Sequence, residues 1–85
     1  MNMDAATAAV IALLAERRSG ESICPSEAAR RIAAEASGAD WRAAMPIIHA
    51  AVDQLVDQNC ISLSWKGQSL PARSGPYRIV QANDK

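Results

Sequence analysis

The chain contains no phenylalanine; its larger aromatic residues are two tryptophans and one tyrosine. A core must therefore be assembled from aliphatic side chains, with alanine filling the closest gaps. There is one histidine and there are two cysteines, Cys24 and Cys60, far apart and in no CxxC or Cys/His cluster. That spacing argues against a zinc site, and no cofactor is expected. It also fits reduced thiols and a cytoplasmic setting. Acidic and basic residues balance at nine each, so the chain lacks the basic excess of a general nucleic-acid coat protein. No apolar run approaches the ~18 residues of a membrane span, so no membrane partner is expected. The start, MNMDAATAAVIALLAERR, has Asp4 where a signal peptide carries its basic region.

What is present is a hydrophobic fraction of 49% over 85 residues, enough for one small domain and too high for a disordered chain. The expected core is Val10, Ile11, Leu13, Leu14, Ile32, Trp41, Met45, Ile48, Val52, Leu55, Ile61, Leu63, Trp65, Leu70, Tyr77 and Ile79. Helical spacing of Val10, Ile11 and Leu14 predicts a helix over residues 4–18, with Asp4 as cap and Gly20 as stop. A short extended piece over 22–24 follows. A second helix is predicted over 25–37, with Ala29, Ile32, Ala33 and Ala36 facing inward. The tetrapeptide SGAD at 37–40 reads as a tight turn, with Asp40 capping the next helix. Trp41, Met45, Ile48, Val52 and Leu55 recur every three or four residues and predict a third helix over 41–59, with Pro46 inside it.

The stretch CISLSWK alternates, with Ile61, Leu63 and Trp65 on one face, and predicts a strand over 60–66. GQSLPARSGP reads as a loop, and YRIVQ at 77–81 as a strand pairing with the first. Residues 82–85 read as a frayed tail. The order is helix, short strand, helix, turn, helix, strand, loop, strand. It predicts an α+β winged helix-turn-helix: three helices, a short first strand and a C-terminal β-hairpin wing in a single domain over 1–85.

Four segments carry a likeness to a known family: CPSEAAR (24–30), WRAAMP (41–46), KG (66–67) and GPYR (75–78). With them the chain resembles, from about Val10 to Ile79, a family of small bacterial proteins catalogued as a domain of unknown function. The resemblance implies a winged-helix fold and a DNA-binding role, and no catalytic residues. Members often have arginine where His49 stands, so this chain has one positive charge fewer on its third helix.

Cys24 has two readings. A thiol at a helix N-terminus can be activated, but Glu27 in the same turn opposes a thiolate. With Pro25 at the first helical position and Glu27 at the third, the segment reads better as a helix start with a capping box. Glu27, Arg31 and Glu35, spaced by four, read as a charge ladder on that helix. His49, with no ligand-spaced partner, reads as solvent-facing, and Trp41 and Trp65 as core anchors.

In a helix-turn-helix the second helix of the pair enters the major groove with its N-terminal half. That assigns Arg42 and His49 to face bases, with Ala43 and Ala50 permitting close approach. Arg30, Lys66, Arg73 and Arg78 are the candidates for phosphate contacts. Four or five such contacts predict a slope of about −4 in log affinity against log salt. Asp53 and Asp57 continue the same stripe and oppose DNA. Two partner classes follow: double-stranded DNA, as for a small transcriptional regulator, or a protein, including a second copy of the chain. No acid–base pair, activated nucleophile or phosphate loop is visible, so an enzyme is not expected.

Overall fold

The computed structural model describes residues 2–18, 20–36, 40–73 and 75–82. Three helices, α1 (Met3–Ala15), α2 (Pro25–Glu35) and α3 (Trp41–Asp57), precede most of a four-stranded sheet. Its strands are β1 (Ser22–Ile23), β2 (Ile61–Trp65), β3 (Gln68–Leu70) and β4 (Arg78–Gln81). All pairings are antiparallel, in the order β1-β4-β2-β3. The class is α+β, in a winged-helix-like layout.

Each helix start follows from its first side chains. Asn2, rather than Asp4, caps α1: its Oδ1 accepts from the Ala5 N–H at 2.8 Å. Asp4 lies one turn inside, where its charge suits the positive end of the helix. α2 opens at Cys24 and Pro25, and the Glu27 carboxylate accepts the Cys24 N–H at 2.8 Å. That is the glutamate half of the capping box. Asp40 caps α3, accepting from the Arg42 N–H at 3.0 Å. The tight turn expected over 37–40 falls, but for Asp40, outside the described residues. α3 runs unbroken past Pro46. It closes with Asn59 in the left-handed region, φ 60°. There the Asn59 N–H donates to the Val56 carbonyl and the Cys60 N–H to the Leu55 carbonyl, a Schellman closure.

The core is aliphatic and close-packed. Val10, Ile23, Ile48, Val52, Leu63 and Ile79 are its largest fully enclosed side chains. Ala6, Ala28, Ala29, Ala44 and Ala51 have no exposed surface, so the helices approach through their smallest residues. On the sheet, Ile23 pairs with Ile79, Ile79 with Leu63, and Leu63 with Leu70. One apolar row therefore crosses all four strands beneath the helices.

The structure corrects several expectations. β3 was read as loop; Gln68–Leu70 instead returns along β2, and the turn between them is Lys66 (φ 51°) and Gly67 (φ 82°). Two successive left-handed residues make the hairpin turn whose twist matches the strands. Trp65, read as core, is 39% exposed, because β2 runs past the end of the hydrophobic layer. Ile11, also read as core, is 49% exposed on the outer side of α1. Ala36 is exposed at the end of α2. Trp41, Met45 and Leu70 are half-buried against the core. The Glu27–Arg31–Glu35 ladder does not form as read. Glu27 pairs with Arg17, and Arg31 with Glu16 at 2.7 Å, so both links tie α2 to the end of α1. Of the expected tail, residues 83–85 lie outside the described ones.

Glu27 thus both caps α2 and pairs with α1. Glu27→Ala is expected to lower unfolding free energy by about 1–2 kcal/mol, since it removes a cap and a half-exposed ion pair. Urea denaturation monitored by circular dichroism measures it; an unchanged midpoint would show that neither contact contributes.

Candidate nucleic-acid interface

The first turn of α3 places Trp41 and Arg42 side by side, and the middle of α2 brings Arg30 to the same spot. The Arg30 guanidinium carbon lies 4.7 Å from the centroid of the Trp41 ring and that of Arg42 lies 4.8 Å away. The half-buried indole is therefore less a core anchor than a platform, and the negative face of its π-system attracts both cations. The two guanidinium carbons are at most about 9.5 Å apart. Arg42 is 73% exposed and meets only a loose partner, Asp40 at 3.8 Å. Arg30 is exposed and in no ion pair among the described residues.

His49 sits just under one turn past Pro46 and is half-buried, not solvent-facing. Its Nδ1 lies 2.7 Å from the Tyr77 hydroxyl, which reaches it from the entry to β4. The two rings are tilted at 55°. Tyr77 is buried, and burial pushes its hydroxyl up to about 12, so it stays protonated at neutral pH. The contact is met either by the hydroxyl donating to Nδ1, with the imidazole proton on Nε2, or by Nδ1–H donating to the hydroxyl oxygen. Burial, and then the positive charge of Arg73, hold the imidazole below its ordinary value, with Asp53 opposing.

Arg73 makes a two-pronged contact with Asp53, Nε to Oδ1 and Nη2 to Oδ2, each 3.0 Å. These hydrogen bonds, with the charge of Arg73, keep the Asp53 carboxyl below its usual range. The segment carrying Pro71, Ala72 and Arg73 lies beside Asp53, Val56 and Asp57, so it flanks the C-terminal half of the α3 stripe. Arg78 is turned toward β1: its Nε donates to the Ser22 Oγ at 2.7 Å and its Nη2 to the Ser22 carbonyl at 3.3 Å. Lys66 stands exposed at the tip of the β2–β3 hairpin.

Of the six residues singled out in the sequence, Arg30 and Arg42 are brought together and Lys66 projects separately. His49, Arg73 and Arg78 hold intramolecular partners. The role of Trp41 as the platform was missed; the adjacent Trp-Arg pair at a helix start was its only signal. Cys24 is half-buried, with Sγ 3.1 Å from the Ser26 hydroxyl, and Cys60 is exposed. Among the described residues, no three His, Cys, Asp or Glu side chains gather as metal ligands do. No described helix is long and apolar enough to cross a membrane.

Three helices packed on a four-stranded antiparallel sheet make a small α+β domain of winged-helix-like layout. The chain belongs to the family DUF3253, proteins of unknown function, whose model matches residues 3–82. No curated protein matches it.

The state of His49 sets a pH dependence. A base whose folded value lies below its unfolded value of 6.5 binds its proton more weakly in the fold. Stability is then complete above about pH 6.5 and falls as pH drops from there toward the folded value. Arg73→Ala removes the lowering charge and frees Asp53, so it is expected to raise the His49 pKa. An NMR titration of the His49 ring protons checks both; a wild-type value above the ordinary one would contradict the assignment.

Proposed function

We propose that this domain is a DNA-binding module, without catalytic activity, that lays the N-terminal half of α3 in the major groove. The observation that carries the reading is the pair of arginines held over Trp41 at the start of α3. Stacking fixes two exposed guanidinium groups near the helix N-terminus, where backbone N–H groups also favour an anion. A guanidinium ordered in advance loses less freedom on meeting a phosphate or a guanine edge. Arg42, in the first turn, is the base-facing candidate, and His49, two turns on, the second, with Nε2 as its ring nitrogen not engaged by Tyr77. Arg30 and Lys66 are the phosphate contacts.

The acidic half of the stripe opposes DNA less than its residues suggest. Asp53 is neutralised by Arg73, which leaves Asp57 as the remaining acid on that face. Arg73 and Arg78 support the reading only indirectly, by holding the loop and β1 in place. A transcription-regulatory role follows from this module type. A second reading, a protein-interaction domain, draws on the exposed Ile11 and the chain's net neutrality.

Fluorescence anisotropy with a random-sequence duplex tests the first reading. Three cationic contacts predict a slope of about −3 in log affinity against log salt. Arg30→Ala and Lys66→Ala are each expected to reduce the slope by about 1, uniformly across sequences. Arg42→Ala is expected to weaken binding and relax sequence preference. Absence of binding at low salt, or binding indifferent to all three changes, would sink the proposal.

A further inference from the structure

The outer side of α1 carries a pattern that the fold does not use. Asp4, Ala8, Ile11 and Ala15 follow one another at four-three-four spacing, the seam spacing of paired helices. The same spacing continues to Arg18, just past the helix end. All five residues are exposed. Ile11, at the centre, is the most exposed large aliphatic side chain described. Beside it, α1 (Thr7, Ala8, Ile11) and α3 (Gln54, Leu55) border an open groove of about 370 Å³.

The stripe is self-complementary. Asp4 lies seven residues before Ile11 and Arg18 seven after it, while Ala8 and Ala15 flank it at three and four. Turned end for end about a two-fold axis through Ile11, the stripe sets Ile11 against its counterpart and alanine against alanine. It also brings Asp4 of each copy to Arg18 of the other. The neighbouring charges are already engaged: Glu16 with Arg31 and Arg17 with Glu27. Glu21 accepts the Arg18 backbone N–H at 3.1 Å. Neither Asp4 nor Arg18 is in an ion pair among the described residues.

We infer that α1 is the two-fold interface of a homodimer, packed antiparallel against α1 of a second copy, with Ile11 at the centre and Asp4–Arg18 pairs at both ends. A second copy is the favoured occupant because a two-fold contact must be complementary to itself, and this charge order is. The small alanines allow the axes to approach, and each Ile11 has the α1–α3 groove of the other copy to enter. Opposed helix dipoles add to the preference. At about 20 Å, α1 offers less than the ~800 Å² per partner of a typical stable complex. The dimer is therefore expected to be weak, with a dissociation constant of roughly 10–100 μM. The inference is independent of DNA binding.

Sedimentation velocity on the whole chain, from about 5 to 500 μM, spans that range. The expected mass rises from 9.0 kDa toward twice that value. Ile11→Glu, at an exposed position, is expected to move the midpoint up at least tenfold while leaving the melting temperature and circular dichroism unchanged. Asp4→Arg and Arg18→Asp should each weaken the dimer severalfold, and the double exchange should restore it. Circular dichroism on each variant separates loss of α1 from loss of association. A monomer across the whole range, or a dimer indifferent to Ile11→Glu, overturns the inference. A dimer that Ile11→Glu disrupts but the double exchange does not restore overturns the antiparallel register.

Discussion

Close approach of three helices through alanine is the constraint on which the rest depends. Without phenylalanine, the chain has few side chains able to span a wide gap. Ala6, Ala28, Ala29, Ala44 and Ala51 are wholly enclosed, and between them stand Val10, Ile48 and Val52. Such a core is thin, and each methyl group in it is in van der Waals contact with several others. The sheet then needs only one apolar row, Ile23–Ile79–Leu63–Leu70, to close the layer from below. Polar chemistry is pushed to the rims, where Arg31 and Glu27 reach from α2 to the C-cap of α1, Glu16, and the residue after it, Arg17.

The same thinness shapes the electrostatics. Three ion pairs take up part of the balanced charge: Arg17 with Glu27, Arg31 with Glu16, Arg73 with Asp53. Arg78 is bonded to Ser22 across two strands. Among the charges that stay outward, the two arginines over Trp41 are held by stacking. The aromatic ring that a larger core would have absorbed is instead shared between core and surface.

Much of the fold was legible in the sequence because it rests on periodicity. The apolar repeat of α3, the alternation of β2 and the Pro25–Glu27 helix start all follow from residue spacing alone. Other features depend on where an element ends relative to its neighbours, which spacing does not record. Trp65 continues the inward face of β2, but the strand outruns the layer it covers. Ile11 fits the helical period of α1, yet it falls on the outer side, at the rim of the α1–α3 groove and outside the core. β3 is three residues long, and Gln-Ser-Leu has no strand signature; only the Lys66–Gly67 turn identifies it. The site was less legible than the fold. An arginine can be matched with several acids in a sequence, and Arg31 found Glu16, fifteen residues away, instead of a neighbour on its own helix. The His49–Tyr77 bond spans twenty-eight residues and depends on how the loop before β4 returns across α3.

The sheet order has a further consequence for how the domain assembles. β4 is the last element along the chain, yet it lies inside the sheet, between β1 and β2. β1 has no other strand neighbour, and the Arg78–Ser22 contact that fastens it joins positions fifty-six residues apart. During synthesis the helices and the β2–β3 hairpin can form as they emerge, since their contacts are local. The strand between α1 and α2 must wait, unpaired, until nearly all of the domain has been made. Closure of this sheet is therefore a long-range event, joining Ser22–Ile23 to Ile79–Val80.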